Sequence, residues 1–328
     1  MTSPNLSEIV TTTLRNRSGA LSDNVTENNA LLRELKKQGN VKPFRGGRSI
    51  VQEIEYAENS TFKRYSGYEA LNIQASDVFT AAEYDIKQYA VAVTMSGLEM
   101  IQNSGKEQVI DLLEARIKNA EKTMMNQLAA DVYSAGTSDG GKQIGGLQAL
   151  VADSPSSGTV GGINRASWSF WRNQTYDVSS EGTATTAQTI QANMNEAFLK
   201  VTRGQDKPTL IIADNSYFSL YWNSLQAIQR IQRTDRGALG FQELDFAGVP
   251  VIADGGYGGN APTGSNLSSS RMYFLNTNYL FLRPYPERDM KPIGDDRFST
   301  NQDAMVKLIG WAGNMTMSNA FLQLVFFE

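Results

Sequence analysis

The stretch FQELDFAGVPVIAD, residues 241–254, reads as a short strand, a tight turn at Ala247-Gly248, and a second strand, Val249–Ala253, apolar enough to be buried on both faces. A glycine-rich loop follows. RMYFLNTNYLFLRPYPERDM (Arg271–Met290) then supplies two aromatic-rich strands with a turn at Asn276–Asn278. The chain closes on Ala304–Phe327, mostly apolar and β-prone, broken only by Gly310 and by a turn expected around Gly313-Asn314. Strand follows strand here with no catalytic residue types between them.

Upstream of this region the pattern changes to α/β. Thr189–Thr202 is amphipathic through Ile190, Met194, Phe198 and Val201, and Gly204 closes it. Pro208 precedes a buried strand, Thr209–Ala213. Asp214-Asn215-Ser216 offers a cap for a helix carrying Tyr217, Phe218, Tyr221, Trp222, Leu225, Ile228 and Ile231. The strongest helix signal is Lys106–Tyr133, where Val109, Ile110, Leu113, Ile117, Ala120, Met124, Leu128 and Val132 form one apolar stripe. At 1.5 Å per residue that rod is roughly 40 Å long. Gly136 and the turn DGGKQIGGL (Asp139–Leu147) follow it. Residues 152–188 are rich in Ser, Gly and Thr, with Trp168, Phe170 and Trp171 placed to anchor a loop.

Before the long helix, Ser49–Ala57 alternates (Ile50, Ile54, Tyr56), and Tyr84–Thr94 alternates again (Tyr84, Ile86, Tyr89, Val91, Val93). Tyr65, Gly67 and Tyr68 lie between them. The expectation is a long two-stranded hairpin feeding AVAVTMSGLE (Ala90–Glu99). A ribbon of two strands buries too little to stand alone in water, so it needs another surface to lie on. Residues 1–45 form a polar arm whose apolar residues, Leu14, Leu21, Val25 and Leu31-Leu32, are too sparse for a core; a short helix around Ala30–Lys37 is expected. Arg15, Arg17, Arg33, Lys36, Lys37, Lys42 and Arg45 outnumber the arm's acids, which suits an anionic neighbour such as DNA or a solvated terminus.

Composition narrows the function classes. The 328 residues are 41% hydrophobic and 20% charged, with net charge −4, so a large core is affordable and bulk nucleic-acid binding is not indicated. There is no cysteine and no histidine. That removes disulfides, thiol nucleophiles and thiolate metal sites, together with the commonest general base and transition-metal ligand. No apolar run reaches the roughly 20 residues that span a bilayer, and no secretory signal opens the chain, so the cytoplasm is the expected place of synthesis.

The motifs carry little chemistry. Gly255-Gly-Tyr-Gly-Gly lacks the Gly-Lys-Ser/Thr or the immediate helix of a phosphate loop and reads as a connector. Glu287, Asp289, Asp295 and Asp296 are close in sequence, but an acid–base pair needs carboxylates converging across a cleft, and a Ca²⁺ site needs more oxygen ligands at fixed spacing. Arg230, Arg233 and Arg236 give the helix after Ser216 a basic end, which suits the helix dipole and salt bridges to a neighbouring subunit. Lys63 and Lys87 read as solvated lysines of the hairpin. No catalytic residue, metal or cofactor is expected.

Taken in order, the hairpin feeding AVAVTMSGLE, the long helix, and the succession FAGVPVIAD to YFLNTNYLFL resemble the major capsid proteins of tailed bacteriophages, of the Hong Kong 97 type. The likeness rests on the order of elements along nearly the whole chain. It implies an α+β fold with an N-terminal arm (1–45), an extended hairpin loop (46–97), a peripheral domain with a spine helix (98–185), an axial domain (186–265), and returning strands (266–328). It implies self-assembly as hexamers and pentamers into an icosahedral shell around double-stranded DNA, a place in the virion after assembly in the host cytoplasm, and scaffold, portal and decoration proteins as further partners. No scaffolding domain precedes the arm in this sequence, which implies a separate scaffold or none. Expected subunit contacts are Tyr65, Gly67, Tyr68, Arg230, Arg233 and Arg236, with Arg15, Arg17, Arg33, Lys36 and Lys37 facing the interior. The alternatives are an encapsulin-like compartment shell, a carboxylate-dependent hydrolase, and a tail or decoration protein, which the long helix argues against.

Overall fold

The structure is a computed structural model that describes residues 29–102, 112–225, 243–254, 270–293, 297–298 and 303–328. Two sheets organise these residues. The first is built on one long strand, β14 (Ala304–Met317), which pairs antiparallel along one edge with β3 (Lys87–Ser96). Along its other edge lie β13 (Arg297–Phe298), β12 (Lys291–Pro292) and β11 (Leu280–Pro284). The second sheet has six strands: β6 (Gln174–Asp177), β15 (Leu324–Phe327), β10 (Arg271–Leu275), β7 (Leu210–Ala213), β9 (Val249–Ala253) and β8 (Glu243–Phe246), in that spatial order.

Alternation along the second sheet divides the core. Ile212, Ile252, Tyr273, Leu275 and Val325 face a cluster shared with Trp311, Met315 and the long helix α3 (Leu112–Asp131). Ile211, Val251, Met272, Phe274, Leu324 and Phe326 face the other way, under α4 (Ile190–Val201) and α5 (Asn215–Ser224). On that second face Phe326 stacks on Tyr176 at 5.3 Å and meets Tyr217 edge-on.

Local signals explain most boundaries. Asp214 caps α5 by accepting the Tyr217 amide at 2.9 Å. The β8–β9 turn holds both Ala247 (φ 52°) and Gly248 (φ 82°) in the left-handed region. That turn matches the twist of a two-residue hairpin, and it costs Ala247 about 1 kcal/mol because of its Cβ. Asn276 and the single 3₁₀ turn Thr277–Tyr279 do not fold β10 onto β11; they hand the chain from one sheet to the other.

Several sequence readings need correction. Gly313-Asn314 is not a turn, and Gly310 does not break the strand: β14 runs through both, and the chain bends after Met317. These glycines serve close packing, because a Cβ on Gly310 would sit 2.4 Å from Ile293 and one on Gly313 2.5 Å from the Arg283 carbonyl. Residues 84–94 are not the second arm of the hairpin. The pair is β1 (Ile50–Glu55) with β2 (Phe79–Tyr84), in register Ile50 to Tyr84, and the alternating stretch after Asp85 is β3 in the first sheet. The described end of the arm builds no core of its own, but the expected helix joins the body's. Helix α1 (Ala30–Lys37) buries Ala30, Leu31, Leu32 and Leu35, since three leucines in five residues suffice when the surrounding body supplies the rest.

The long helix is described from Leu112, with the short helix α2 (Gly97–Gln102) before it; Val109 and Ile110 lie outside the described residues. Ala120, Met124, Leu128 and Val132 are buried as the stripe predicts, and Gly136 (φ 72°) follows the helix. Ile228, Ile231, the Gly255–Gly259 loop, Asp295 and Asp296 also fall outside the described residues.

Candidate assembly surfaces

Among the described residues, the exposed large apolar side chains are concentrated between β1 and β2. Residues 56–78 carry no helix or strand. Phe62 is 76% exposed, Tyr68 108% and Ile73 93%; Tyr65 and Leu71 are exposed as well, and so is Phe79, where β2 begins. Gly67 (φ 59°) and Tyr68 form a turn within the segment, and Lys63 pairs with Glu69 at 3.0 Å across it. This is the position expected for Tyr65, Gly67 and Tyr68. Phe62, Leu71, Ile73 and Phe79 were not singled out from sequence, although their spacing among polar residues was the available signal.

The root of this projection is held firmly. Tyr84 is buried and shares hydrogen bonds with the backbone of Met317; burial pushes its phenol well above the usual tyrosine range. Gly161 (φ 57°) turns the β4 (Thr159–Val160) and β5 (Ile163–Asn164) hairpin against the strand pair, and its carbonyl accepts the Glu83 amide at 2.9 Å. A Cβ at Gly161 would lie 2.7 Å from Ala82. Tyr56 packs on Phe170 at 5.2 Å and Trp168 at 6.4 Å, so two of the three loop aromatics anchor the hairpin base. Trp171 is buried, and its indole donates to the Val160 carbonyl.

Behind this lies Arg165, almost fully buried, with its guanidinium spent on the carbonyls of Trp171, Ala149 and Leu150. Burial lowers its pKa to about 10, so the group remains a cation at neutral pH. Nothing in the local sequence marks this arginine as buried. A cleft of about 710 Å³ opens beside the root, lined by Arg48, Glu83, Asp85, Lys87 and several glycines. Lys87 is not the solvated hairpin lysine expected: its ammonium donates to the Gly141 carbonyl at 2.7 Å.

The expected interior cations divide. Lys36 and Lys37 are exposed in the last turn of α1, and Arg33 is half-buried on the same helix. Arg15, Arg17, Arg230, Arg233 and Arg236 lie outside the described residues. Helix α1 itself is fastened at its start. Asn29 accepts the Leu32 amide and donates to the Ala129 carbonyl, while buried Asp254 accepts the Ala30 amide at 3.0 Å and the Tyr133 hydroxyl. Burial and the adjacent carboxylate push Tyr133 well above its ordinary range, so it stays a donor. At the far end of β3, Ser96 and Glu99 form a reciprocal cap for α2, and Arg116 of α3 grips Glu99 with two nitrogens at 2.7 and 3.1 Å. That grip lowers the Glu99 pKa.

Among the described residues no group of three acidic side chains is placed to hold a metal, and Glu287 and Asp289 are exposed rather than facing each other across a cleft. No described helix is long and apolar enough to cross a membrane.

Comparison with known proteins gives the class. No protein-family model and no curated protein matches the sequence. Solved structures do match. The capsid of cyanophage A-1(L) is 17% identical over 94% of this chain and 94% of that chain, with a TM-score of 0.67. The SrpI encapsulin of Synechococcus elongatus PCC 7942 is 10% identical over 100% and 96%, with a TM-score of 0.58. Mycobacterium phage Adephagia gives 10% over 99% and 98%, at 0.53. These are matches of whole chain to whole chain, and the fold is the Hong Kong 97-type capsid fold. Phage capsids and an encapsulin share it.

Proposed function

We propose that this chain is the major capsid protein of a tailed bacteriophage, assembling as hexamers and pentamers into an icosahedral shell around double-stranded DNA. The observation that carries the reading is the projecting 56–78 segment. Six large apolar side chains sit exposed on and beside a segment that its own body does not cover. Burying one such side chain is worth roughly 1.5–3 kcal/mol, so the segment favours another surface, and in a closed lattice that surface is a second copy. Each contact is modest, and a shell engages many at once.

In this reading Tyr65, Gly67 and Tyr68 are contact residues of the extended loop, and Arg230, Arg233 and Arg236 face neighbours around the capsomer axis. Arg15, Arg17, Arg33, Lys36 and Lys37 face packaged DNA non-specifically. Residues 1–45 act as the arm, 46–97 as the extended loop, 98–185 as the peripheral domain with its spine helix, 186–265 as the axial domain, and 266–328 return through both. Scaffold, portal and decoration proteins are the further partners, assembly takes place in the host cytoplasm, and no catalytic step is required of the chain.

The second reading is a compartment shell enclosing protein cargo, favoured by the encapsulin match across the whole chain. Negative-stain microscopy and size-exclusion chromatography of the purified chain test the proposal. Closed particles, or rings of six and five, support a shell, and nuclease-protected nucleic acid against co-purified protein separates phage from compartment. A compact monomer, also in the presence of a cognate scaffold, overturns it.

A further inference from the structure

The strand pair β1–β2 has one face turned to the body and one to solvent. Ile50, Ile54, Ala82 and Tyr84 are buried on the inner face. The outer face carries Val51 opposite Glu83, Glu53 opposite Ala81, and Glu55 opposite Phe79, all exposed. Three glutamates thus share a small ribbon face with three apolar side chains, and no cation pairs with any of them among the described residues. Glu83 receives the Ser49 hydroxyl; among the described residues Glu53 and Glu55 have no hydrogen-bond partner for their carboxylates. Like charges repel on such a face unless an opposite charge meets them.

A matching surface of opposite sign lies elsewhere on the chain. The strap of residues 41–48 runs beside β11 as an extra edge: Val41 bridges to Leu282, and the Lys42 and Phe44 amides donate to the Leu282 and Pro284 carbonyls. Phe44 is buried against Tyr285 at 5.4 Å and rivets the strap in place. Lys42, Arg45 and Arg48 are exposed around it, and residues 35–52 contain no acid. Lys42 lies over the Phe281 ring, and among the described residues none of the three has an ion-pair partner. The strap is thus fixed by backbone hydrogen bonds, and its cations meet no counter-charge among the described residues.

We propose that the outer face of β1–β2 docks on the 41–48 strap of a second copy, Glu53 and Glu55 meeting Lys42 and Arg45, with Val51 and Phe79 covered between them. Both surfaces are held by buried residues in the single chain, so docking orders little that is not already ordered. Charge pairing of this kind sets register and partner choice more than raw affinity, because like charges brought together in a wrong register are costly. The proposal rests on the shell reading and specifies which two surfaces of neighbouring copies meet.

The test is a charge swap. Glu53→Lys with Glu55→Lys, and separately Lys42→Glu with Arg45→Glu, are each expected to lower the assembled fraction at low salt by about tenfold or more. The chain carrying all four changes is expected to assemble as the parent does. All four positions are exposed, so melting followed by circular dichroism should not move. Because the chain has no cysteine, Glu55→Cys mixed with Arg45→Cys gives a clean second readout. A short bis-maleimide should join the two variants in assembled particles and should not join Glu55→Cys to a control at Lys207→Cys, an exposed position between α4 and β7 that belongs to neither surface.

If the parent assembles and the two-residue reversals assemble equally well, the docking proposal falls while the shell reading stands. It also falls if the four-residue swap fails to rescue and the strap reversal instead releases packaged duplex DNA, which would place the strap against nucleic acid. If the parent forms no assembly at all, both readings fall together.

Discussion

Two regions of this chain use the same residue types to opposite ends. Around β14 and β10, Trp311, Tyr273, Phe274 and Phe326 are 0–1% exposed, and Trp311 stacks on Tyr89 at 5.6 Å. In residues 56–78, Tyr68 and Ile73 are 108% and 93% exposed, with only local turns around them. Aromatic and branched side chains in the first region are what fold the chain. In the second, Tyr56 still packs at the hairpin base, but Phe62, Tyr65, Tyr68, Leu71 and Ile73 stand exposed on the monomer and add little to its folding. On the proposed shell reading, the chain folds on the first set of contacts and associates through the second.

The comparison can be broken most sharply by mutating each side of it. Trp311→Ala should cost about 3–5 kcal/mol of folding stability, as removal of a buried indole does, read by denaturant unfolding. Tyr68→Ser with Ile73→Ser should leave that unfolding curve within about 0.5 kcal/mol of the parent and yet prevent assembly. Equal effects on both readouts would erase the distinction.

The next largest effect concerns how far the folding body extends. Asp254→Ala leaves the Ala30 amide and the Tyr133 hydroxyl buried without their acceptor, at about 1–3 kcal/mol. The loss should be accompanied by faster proteolysis within residues 29–37, since α1 is fastened there. If stability drops and α1 stays protected, Asp254 matters to the sheet and not to the arm.

Asp214→Ala should cost about 1–2 kcal/mol through loss of the α5 cap and of the acceptor for the Ser270 amide, and Asp214→Asn, which keeps one of the two acceptor oxygens, should restore part of it, measured by thermal melting.

The smallest effect is ionic. The Arg116 hydrogen bonds hold the folded Glu99 pKa below its unfolded value. The pair therefore contributes stability above the unfolded pKa and loses it as pH falls through the folded one. Both side chains are about a third exposed, so the contribution is that of a surface pair, about 1 kcal/mol or less. Melting from about pH 5 down to about pH 3 should fall less steeply in Glu99→Gln than in the parent.

These contrasts also show what the sequence made legible. Elements whose pattern is set by their own residues were readable: the Ala247-Gly248 turn, the α4 stripe, the Asp214 cap and the buried stripe of α3. Pairing was not, because alternation reports a strand and not its partner. Tyr84–Thr94 looked like one arm of a hairpin, whereas Asp85-Ile86 divides it between two sheets. Gly310 and Gly313 read as breaks because their reason, the approach of Ile293 and the Arg283 carbonyl, is remote in sequence. Arg165 and Asp254 were overlooked for the same cause: their partners are backbone groups and a helix start far along the chain. Of the candidate surfaces, the tip residues Tyr65, Gly67 and Tyr68 were visible. The outward placement of Glu53 and Glu55 follows from alternation alone, since inward Ile50 and Ile54 leave them outside.

We propose that residues 58–76 serve association and not folding. Deleting 58–76 with a short glycine–serine bridge, and measuring particle mass and thermal melting beside the parent, tests it most directly. The account predicts that the parent forms particles of many copies and that the deleted chain remains a monomer melting within a few degrees of the parent's unassembled form. A deleted chain that still assembles, or one that no longer folds, would contradict it.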